Sequence, residues 1–444
     1  MGQTAARNGV AVFCVAWYDE REGVMTMRIG YACRARAVPG SALKSCVLKN
    51  ATEERLLTLI AENLDALCAM IDYNRKNGIA LYRISSDLIP FGSSSAAPLP
   101  WEGLFAEKWR QIGDAIRSAG MRVSMHPGQY THLTSPNPAV VANAVEDLAY
   151  HARVLDALGT GQDAKIILHL GGAYGDKQSA KARFLGRFSK LDSTIKARLV
   201  LENDDSIYDI GDILEVANAA GIPAVFDSLH NAIHPADTDT PEIEWIRRCA
   251  DTWKTGDGRQ KIHYSQQNPE KKPGAHSDTI AVDAFLAFAA RVACLNPDIM
   301  LEVKDKNQSA VKCLNCTSDR GIAALESDWA RYKYIVLEKS PAAYRAIRLL
   351  LRDKTAYPAV ELYRMTEDAL QKPTEIGNAV NAAQHVFGYF NKTATAAEKR
   401  RFSGLLDKYA SGTGRLSPVV NHLHLLAVRY DERYLLESYY FDAR

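Results

Sequence analysis

The chain has no apolar run that approaches the roughly 20 residues a helix needs to cross a bilayer. It also lacks a strong excess of one charge, since 54 Lys and Arg stand against 52 Asp and Glu, giving a formal net charge of +2. The first absence argues against a membrane protein, and we expect a cytoplasmic one. The second means that any contact with nucleic acid has to come from local groups of cations.

Two familiar cysteine and glycine patterns are missing as well. Eight cysteines are scattered along 444 residues rather than spaced as a small disulfide framework, which is typical of a reducing compartment. Cys313 and Cys316 form a lone CxxC pair without the second pair that a closed zinc site needs, so we expect ordinary cysteines there. No GxGxxG fingerprint follows the first strand-like segment, so no nucleotide cofactor is expected.

Short apolar segments rich in branched residues alternate with amphipathic segments through most of the chain. Eight such segments are typical of parallel strands that are covered on both faces, and the segment between Thr52 and Gly78 is typical of the helices between them. This pattern predicts an α/β protein with a TIM (β/α)8 barrel, and a doubly wound sheet is the weaker alternative. The predicted strands are residues 27–31, 80–84, 122–125, 165–170, 199–202, 224–227, 261–264 and 299–303.

The character of the sequence changes after about residue 315, where strand-like segments give way to helices with basic faces and aromatic residues. We therefore predict an additional C-terminal α-helical domain beside the barrel. The predicted division is an N-terminal extension (1–26), the barrel (27–315), a helical connector (316–354) and the helical domain (355–444).

Imidazoles and carboxylates occupy the predicted carboxyl ends of the strands or the loops just beyond them. Because these ends converge on one face of a closed barrel, we expect the side chains to meet there. Such groups together suit Mn, Fe or Zn, and nine are too many for one ion, so two or three ions are implied. Clustered divalent ions commonly serve phosphoester hydrolysis. The nine residues are Asp87, His126, His169, Glu202, Asp227, His230, His263, His276 and Glu302.

The third strand ends at His126 in VSMHPGQY, where a Pro-Gly turn presents Gln129 and Tyr130 beyond the predicted metal ligands. Six other histidines show no placement at a strand end and are expected to be surface or core residues. They are His132, His151, His234, His385, His422 and His424.

Eight motifs, in order, resemble the UV damage endonuclease family over about residues 27–310: RIGYAC, LYRISSDLIPF, SMHPGQY, LHLGGAYGDK, LENDD, VFDSLHNAIHP, KIHYSQQNPEKKPGAHSD and MLEVKDK. The resemblance implies a TIM barrel related to endonuclease IV-type apurinic-site nucleases, with a cluster of divalent ions. Manganese is the usual ion, with Zn²⁺, Mg²⁺ and Co²⁺ as alternatives. The implied activity is incision of damaged double-stranded DNA immediately 5′ to UV photoproducts, which leaves a 3′-hydroxyl and a 5′-phosphate.

Carried over motif by motif, the resemblance makes the strand-end histidines and carboxylates metal ligands. Asp87 stands where some family members have histidine. Lys261 matches a family lysine beside the cluster that tunes or bridges the ions, and it joins Glu202 and His263 in the expected catalytic set.

The resemblance also implies a surface for DNA. Gln129 and Tyr130 would enter the duplex and fill the space left by an extruded lesion, since a ring replaces lost stacking and an amide bonds an orphaned base edge. Tyr31 would stack in the lesion pocket or support it. Three cations near the barrel mouth would contact backbone phosphates. They are Arg34, Lys271 and Lys272.

Two positions depart from the family pattern, Ala35 where asparagine can occur and Asn231 where a second histidine can occur. Two other enzymes remain as alternatives, an apurinic-site endonuclease and a metal-dependent sugar isomerase or epimerase on the same barrel. The C-terminal segment resembles a small helical domain of unknown biochemical role, and no particular protein partner is indicated.

Overall fold

The computed structural model describes residues 27–94 and 99–442, and the predicted N-terminal extension lies outside these residues. Eight parallel strands form a closed barrel in chain order, with the eighth paired to the first. The predicted TIM barrel is therefore confirmed, and each predicted strand is present with its ends shifted by two residues at most. The strands are β1 (Ile29–Cys33), β2 (Leu81–Ile84), β3 (Arg122–Met125), β4 (Lys165–His169), β5 (Leu199–Glu202), β6 (Ala224–Asp227), β7 (Lys261–Tyr264) and β8 (Asp298–Leu301).

Helices with local start and stop signals cover the barrel. The Thr52 side chain accepts a hydrogen bond from the amide of Arg55 and so caps the first helix, while Gly221 ends the seventh in a left-handed conformation. The barrel helices are α1 (Glu53–Lys76), α2 (Trp101–Leu104), α3 (Ala106–Ser118), α4 (Pro138–Ala157), α5 (Lys177–Phe188), α6 (Ser193–Arg198), α7 (Ile210–Ala220), α8 (Ser228–Ile233), α9 (Glu242–Ala250), α10 (Val282–Val292) and α11 (Asn307–Thr317).

Alternate residues of each strand face the barrel interior, which has three levels. Buried charged residues lie at the amino ends, where Arg122 donates to Asp298 at 2.9 Å. Above them, Ala32, Leu81 and Met300 form a small apolar cluster that is separate from the main core between strands and helices. Imidazoles and carboxylates occupy the carboxyl ends. The polar centre therefore rests on an apolar layer inside the barrel.

A C-terminal helical unit follows the barrel, as predicted. Its first two helices fall in the segment predicted as a connector, but they contribute to the cores of the unit: Tyr334 and Leu337 pack in one core and Ile347 in another. The connector is thus part of the helical unit. The helices are α12 (Ile322–Lys339), α13 (Pro341–Leu350), α14 (Ala359–Leu370), α15 (Ile376–Phe387), α16 (Ala396–Ala410), α17 (Leu416–Arg429) and α18 (Arg433–Leu436).

A buried carboxylate fixes the interior of this unit, and an arginine fixes the unit to the barrel. Asp328 accepts hydrogen bonds from the hydroxyls of Tyr363 at 2.7 Å and Tyr439 at 3.0 Å. Arg331, on the same helix, donates to Asn77 at the end of α1 at 3.0 Å. Among the helices of the described residues, none is both long enough and apolar enough to span a membrane.

Gly30 of β1 provides a test of the barrel packing. A Cβ at this position would overlap the backbone carbonyl of Leu81 on the neighbouring strand. We expect Gly30→Ala to lower the free energy of unfolding by about 3 kcal/mol or more, because the backbone of β2 has to move. Urea unfolding followed by circular dichroism measures the change.

The matched control is Gly404→Ala in α16, where an added Cβ meets no atom within 4 Å. Removing a glycine from a helix interior is expected to stabilise the protein by about 0.5–1 kcal/mol. Equal unfolding midpoints for the two variants would contradict the packing described for β1 and β2.

Candidate metal centre

Glu202, the last residue of β5, lies at the middle of the polar level with its carboxylate buried. Its Oε2 lies 3.0 Å from Nε2 of His126 and 3.7 Å from Nε2 of His169, and its Oε1 lies 2.7 Å from Nδ1 of His263. Burial alone would raise the pKa of Glu202, but the three imidazoles outweigh it and hold the pKa well below its ordinary value. Glu202 is therefore ionised and directly surrounded by ring nitrogens.

Asp227 and His230 form the next part of the centre. Asp227 ends β6 and caps α8, since its carboxylate accepts a hydrogen bond from the amide of His230 at 2.8 Å. Burial raises the pKa of Asp227 to about 6. For His230, burial lowers the pKa, but Asp227 and Glu202 outweigh this and raise it to about 9. Nδ1 of His230 lies 2.9 Å from the carbonyl oxygen of Asn203, which fixes the ring.

Glu302, directly after β8, contacts His263 and connects one further histidine, His276, to the cluster. Its carboxylate lies 3.3 Å from Nδ1 of His263 and 3.9 Å from Nε2 of His276. Arg83 of β2 forms a short ion pair with Glu302. Burial would raise the pKa of Glu302, but Arg83 and His263 lower it far below its ordinary value. The strand ends thus bring eight of the nine predicted ligands to one region.

Two overlapping groups in this region could each hold a metal ion, with all ligand atoms within 4.8 Å of one another. His126, His169 and Glu202 form one group, and Glu202, Asp227 and His263 form the other. Within the described residues, Nδ1 of His169, Oδ2 of Asp227 and Nε2 of His263 are buried without a hydrogen-bond partner. Imidazole nitrogen and carboxylate oxygen are donors that suit Mn and Zn, so these residues fit divalent ions.

The ninth predicted ligand, Asp87, does not join the cluster. It lies in a 3₁₀ turn (Ser86–Leu88) beyond the end of β2, and its side chain is 68% exposed. Its carboxylate lies 3.7 Å from the guanidinium of Arg34 at the rim. The expectation that Asp87 ligates an ion is corrected accordingly, because its carboxylate is exposed at the rim beside Arg34 and belongs to neither candidate group.

Lys261 faces inward two residues before His263, but it lies at a lower level than the cluster. Burial lowers the pKa of its amine well below the ordinary value, and the charged groups that act on it are Arg122, Asp298 and Arg83. Its Nζ is buried without a hydrogen-bond partner in the part of the chain that the structure describes. Lys261 therefore lies beneath His263, between the polar centre and the charged residues at the amino ends.

Tyr31 is not available to a lesion. It is fully buried on the outer face of β1, where its hydroxyl donates to Oδ1 of Asn74 in α1 at 2.9 Å. Its ring lies 5.2 Å from that of Tyr82. Since Ala32 points into the barrel, Tyr31 has to point outward, and stacking in a lesion pocket does not fit this placement.

The loop between β3 and α4 presents the predicted probes at the rim. Gln129 is exposed and the side chain of Tyr130 is 82% exposed. His132, which was expected to be a surface or core residue, contacts the carbonyl oxygen of Gln129 through Nε2 and lies 3.2 Å from the hydroxyl of Tyr174 through Nδ1. His132 thus ties this loop to the loop after β4. The predicted phosphate-binding cations are all exposed; they are Arg34, Lys271 and Lys272.

Arg83 is a site residue that sequence analysis missed although a signal was present. Strand alternation from Leu81, which faces inward, places Arg83 inside the barrel next to the strand end. A buried arginine at that level requires a carboxylate partner, and Glu302 supplies it.

Fold and site together define a (β/α)8 barrel with a histidine and carboxylate centre at the carboxyl ends of its strands. The family described as "UV-endonuclease UvdE" matches residues 24–327, and the chain belongs to that family. A second family, a protein of unknown function (DUF1722), matches residues 333–443. The resemblance of the barrel sequence to the UV damage endonucleases and that of the C-terminal segment to a domain of unknown role are therefore both confirmed.

Individual relatives agree with this assignment. A UV DNA damage endonuclease from Clostridium perfringens is 34% identical over 387 residues, which cover 86% of this chain and 92% of that protein. One from Bacillus cereus (strain Q1) is 32% identical over 314 residues, covering 68% and 98% respectively. The crystal structure titled "Crystal Structure of SacUVDE" matches with a TM-score of 0.61 at 37% identity, covering 65% of this chain and 96% of that chain.

Glu202 belongs to both candidate groups, so the metal content of the protein should depend on it. Protein purified with Mn²⁺ is expected to retain two or three equivalents of metal after gel filtration, measured by inductively coupled plasma mass spectrometry. Glu202→Gln is expected to lose at least one equivalent, because the amide removes the charge shared by both groups.

Asp87→Asn serves as the control, since Asp87 is acidic and near the rim but outside both groups. Its metal content is expected to equal that of the unmodified protein. A content of one equivalent or less in the unmodified protein would contradict the two overlapping groups.

Proposed function

We propose that this chain is a metal-dependent DNA repair endonuclease that hydrolyses the phosphodiester immediately 5′ to UV photoproducts, leaving a 3′-hydroxyl and a 5′-phosphate. Its proposed partner is damaged double-stranded DNA. The observation that carries this proposal is the Glu202 centre lying on the same barrel face as the exposed loop of Tyr130, in a chain of the UvdE family. The relatives named UV DNA damage endonuclease support the same activity.

Divalent ions bound at the centre, Mn²⁺ in this proposal, would supply the Lewis acidity that phosphodiester hydrolysis requires. Glu202 belongs to both groups and would set their separation. His263 orients Glu202 through the 2.7 Å contact at Nδ1. Arg83 fixes Glu302 by its ion pair, and the buried amine of Lys261, one level below His263, would tune the centre electrostatically. These side chains are fixed by burial, so the centre keeps its geometry when substrate arrives.

Lesion selection would depend on the loop of Gln129 and Tyr130. An exposed ring can replace the stacking that is lost when a damaged dinucleotide leaves the duplex, and a long amide can bond an orphaned base edge. Extrusion costs least for bases that damage has already distorted, so the same loop favours lesions without reading sequence. The contact of His132 with the Gln129 carbonyl holds the loop in position.

Backbone contacts would come from the exposed cations of the neighbouring loops. Arg34 follows β1, and Lys271 and Lys272 lie in the loop after β7. Because only β8 lies between β7 and β1, these cations lie on one side of the barrel mouth, where they would hold the backbone of a duplex without sequence specificity.

A cleavage assay tests the proposal. Purified protein with Mn²⁺ is incubated with a labelled duplex that carries one pyrimidine photoproduct, with its undamaged twin and with a duplex that carries one abasic site. We expect a single nick 5′ to the photoproduct and an intact undamaged twin. Equal cleavage of the first two duplexes, or none, would contradict the proposal, and cleavage of the abasic duplex alone would assign the chain as an apurinic-site endonuclease.

Tyr130→Ala tests the role of the exposed ring. Stacking of an aromatic side chain on a base contributes about 1–3 kcal/mol, so nicking of the photoproduct duplex is expected to fall by about 5- to 150-fold. The metal content should be unchanged, because Tyr130 is not among the metal-binding groups.

The control for this variant is Tyr389→Ala, which removes another exposed tyrosine, 38% exposed, from the helical unit. Its nicking rate is expected to match that of the unmodified protein. Loss of activity in both variants, or in neither, would remove Tyr130 from lesion recognition.

A further inference from the structure

We propose that a groove between the barrel and the C-terminal helical unit binds the sugar–phosphate backbone of duplex DNA, so that the helical unit forms one wall of the DNA-binding surface. This inference rests on the proposed function and extends it to a part of the chain that has no assigned role.

The groove is a cavity of about 710 Å³ beside the barrel mouth. One side consists of the loop after β1, which begins at Arg34, and of Lys304 and Lys306 in the segment after β8. The other side comes from the helical unit, with His424 and Val428 of α17. The loops after β1 and β8 are neighbours because the barrel closes between these strands. The groove therefore starts at the rim and extends outward to the helical unit.

A polar clamp holds the two sides together. Oδ2 of Asp442, near the C-terminus, accepts hydrogen bonds from Nε of Arg36 at 2.8 Å and from Nε2 of Gln308 at 2.7 Å. Arg36 also donates to the carbonyl oxygen of Asp442 at 3.2 Å. Asp442 is the acidic residue among the described lining residues, and its carboxylate is occupied by Arg36. The wall is thus fixed, and this acidic group is not free to repel phosphate.

The remaining charged residues that line the groove are cations. Arg34 faces the equally exposed Asp87 at 3.7 Å, and Lys304 faces the exposed Asp278 at 2.7 Å, and both pairs are screened by solvent. Among the residues that the structure describes, the ammonium of Lys306 has no hydrogen bond or ion pair. These cations can exchange their weak partners for phosphates, as DNA binding requires.

The backbone of Lys306 is also unusual. It has φ 55° and ψ −115°, a strained conformation that residues with a Cβ rarely adopt. Burial lowers the pKa of its ammonium, and Arg83 and Glu302 of the metal centre are among the charged groups that act on it. The strained backbone thus holds the Lys306 side chain in the lining of the groove.

These features favour the backbone of a polymer over a small ligand. The cations are spread along a groove that begins at the rim, where Arg34 lies, and ends at α17. The exposed wall residue Val428, 56% exposed, adds no charge. A duplex that crosses the barrel mouth would place successive phosphates along this line, and counterion release would supply the binding free energy.

Val428→Glu tests the wall in the full chain. Binding of a fluorescein-labelled undamaged duplex of about 30 base pairs is measured by fluorescence anisotropy over a series of salt concentrations. The new carboxylate would face phosphate, so we expect affinity at low salt to fall by about 5- to 10-fold. Leu349→Glu is the matched control, because Leu349 is 64% exposed on α13 of the same unit and does not line the groove. It is expected to bind as the unmodified protein does.

Lys306→Gln tests the barrel side without altering the helical unit, so it decides the matter if Val428→Glu folds poorly in a thermal melt. Removal of one phosphate contact is expected to reduce the slope of log affinity against log salt by about 1. Unchanged affinity for Val428→Glu and an unchanged slope for Lys306→Gln would overturn the groove proposal. If the unmodified protein still nicks the photoproduct duplex, the proposed function stands without it. If the unmodified protein binds no duplex at all, both proposals fail.

Discussion

The negative charge of the buried Glu202 carboxylate has to be balanced by neighbouring groups, and this requirement organises the site. An ionised carboxylate inside a barrel costs several kcal/mol unless it is paired and hydrogen-bonded. Three imidazoles from β3, β4 and β7 provide that pairing at 2.7–3.7 Å. The same contacts help to place the three ligand atoms of each candidate group within 4.8 Å of one another, close enough for a single ion to bind each group. The requirement to compensate a buried charge therefore pre-organises the ligands.

The rest of the barrel interior obeys the same requirement. Arg83 at the upper level is paired with Glu302, and Arg122 at the lower level is paired with Asp298. The apolar layer of Ala32, Leu81 and Met300 lies between the two levels. Lys261 lies between these ionic networks without a partner among the described residues, which explains why burial lowers the pKa of its amine so far. The centre thus rests on buried apolar residues and paired charges.

Strand positions and most of the centre could be predicted from the sequence, because both follow from short-range periodicity. His126, His169, Glu202 and Asp227 each occupy a strand end, and closure of the barrel brings such ends together. The placement of Tyr31 depended on which residues of β1 face the barrel interior. The sequence does not decide this, and the structure does by placing Ala32 inside and Tyr31 outside. The outward turn at Asp87 and the positive φ at Lys306 arise from tertiary packing, and no local pattern marks them. The packing partners of α12 are equally non-local.

Barrel closure also explains how a helical unit at the end of the chain can reach the rim. The last barrel helix, α11, packs against β1, the first strand, because β8 pairs with β1. The chain therefore enters α12 next to α1, where Arg331 bonds Asn77, and its end returns to the loop after β1, where Asp442 meets Arg36. Only β2 separates this side of the barrel from β3, whose loop carries Tyr130. The Tyr130 loop and the groove therefore lie on neighbouring parts of the rim, where one extended ligand such as a duplex would contact both.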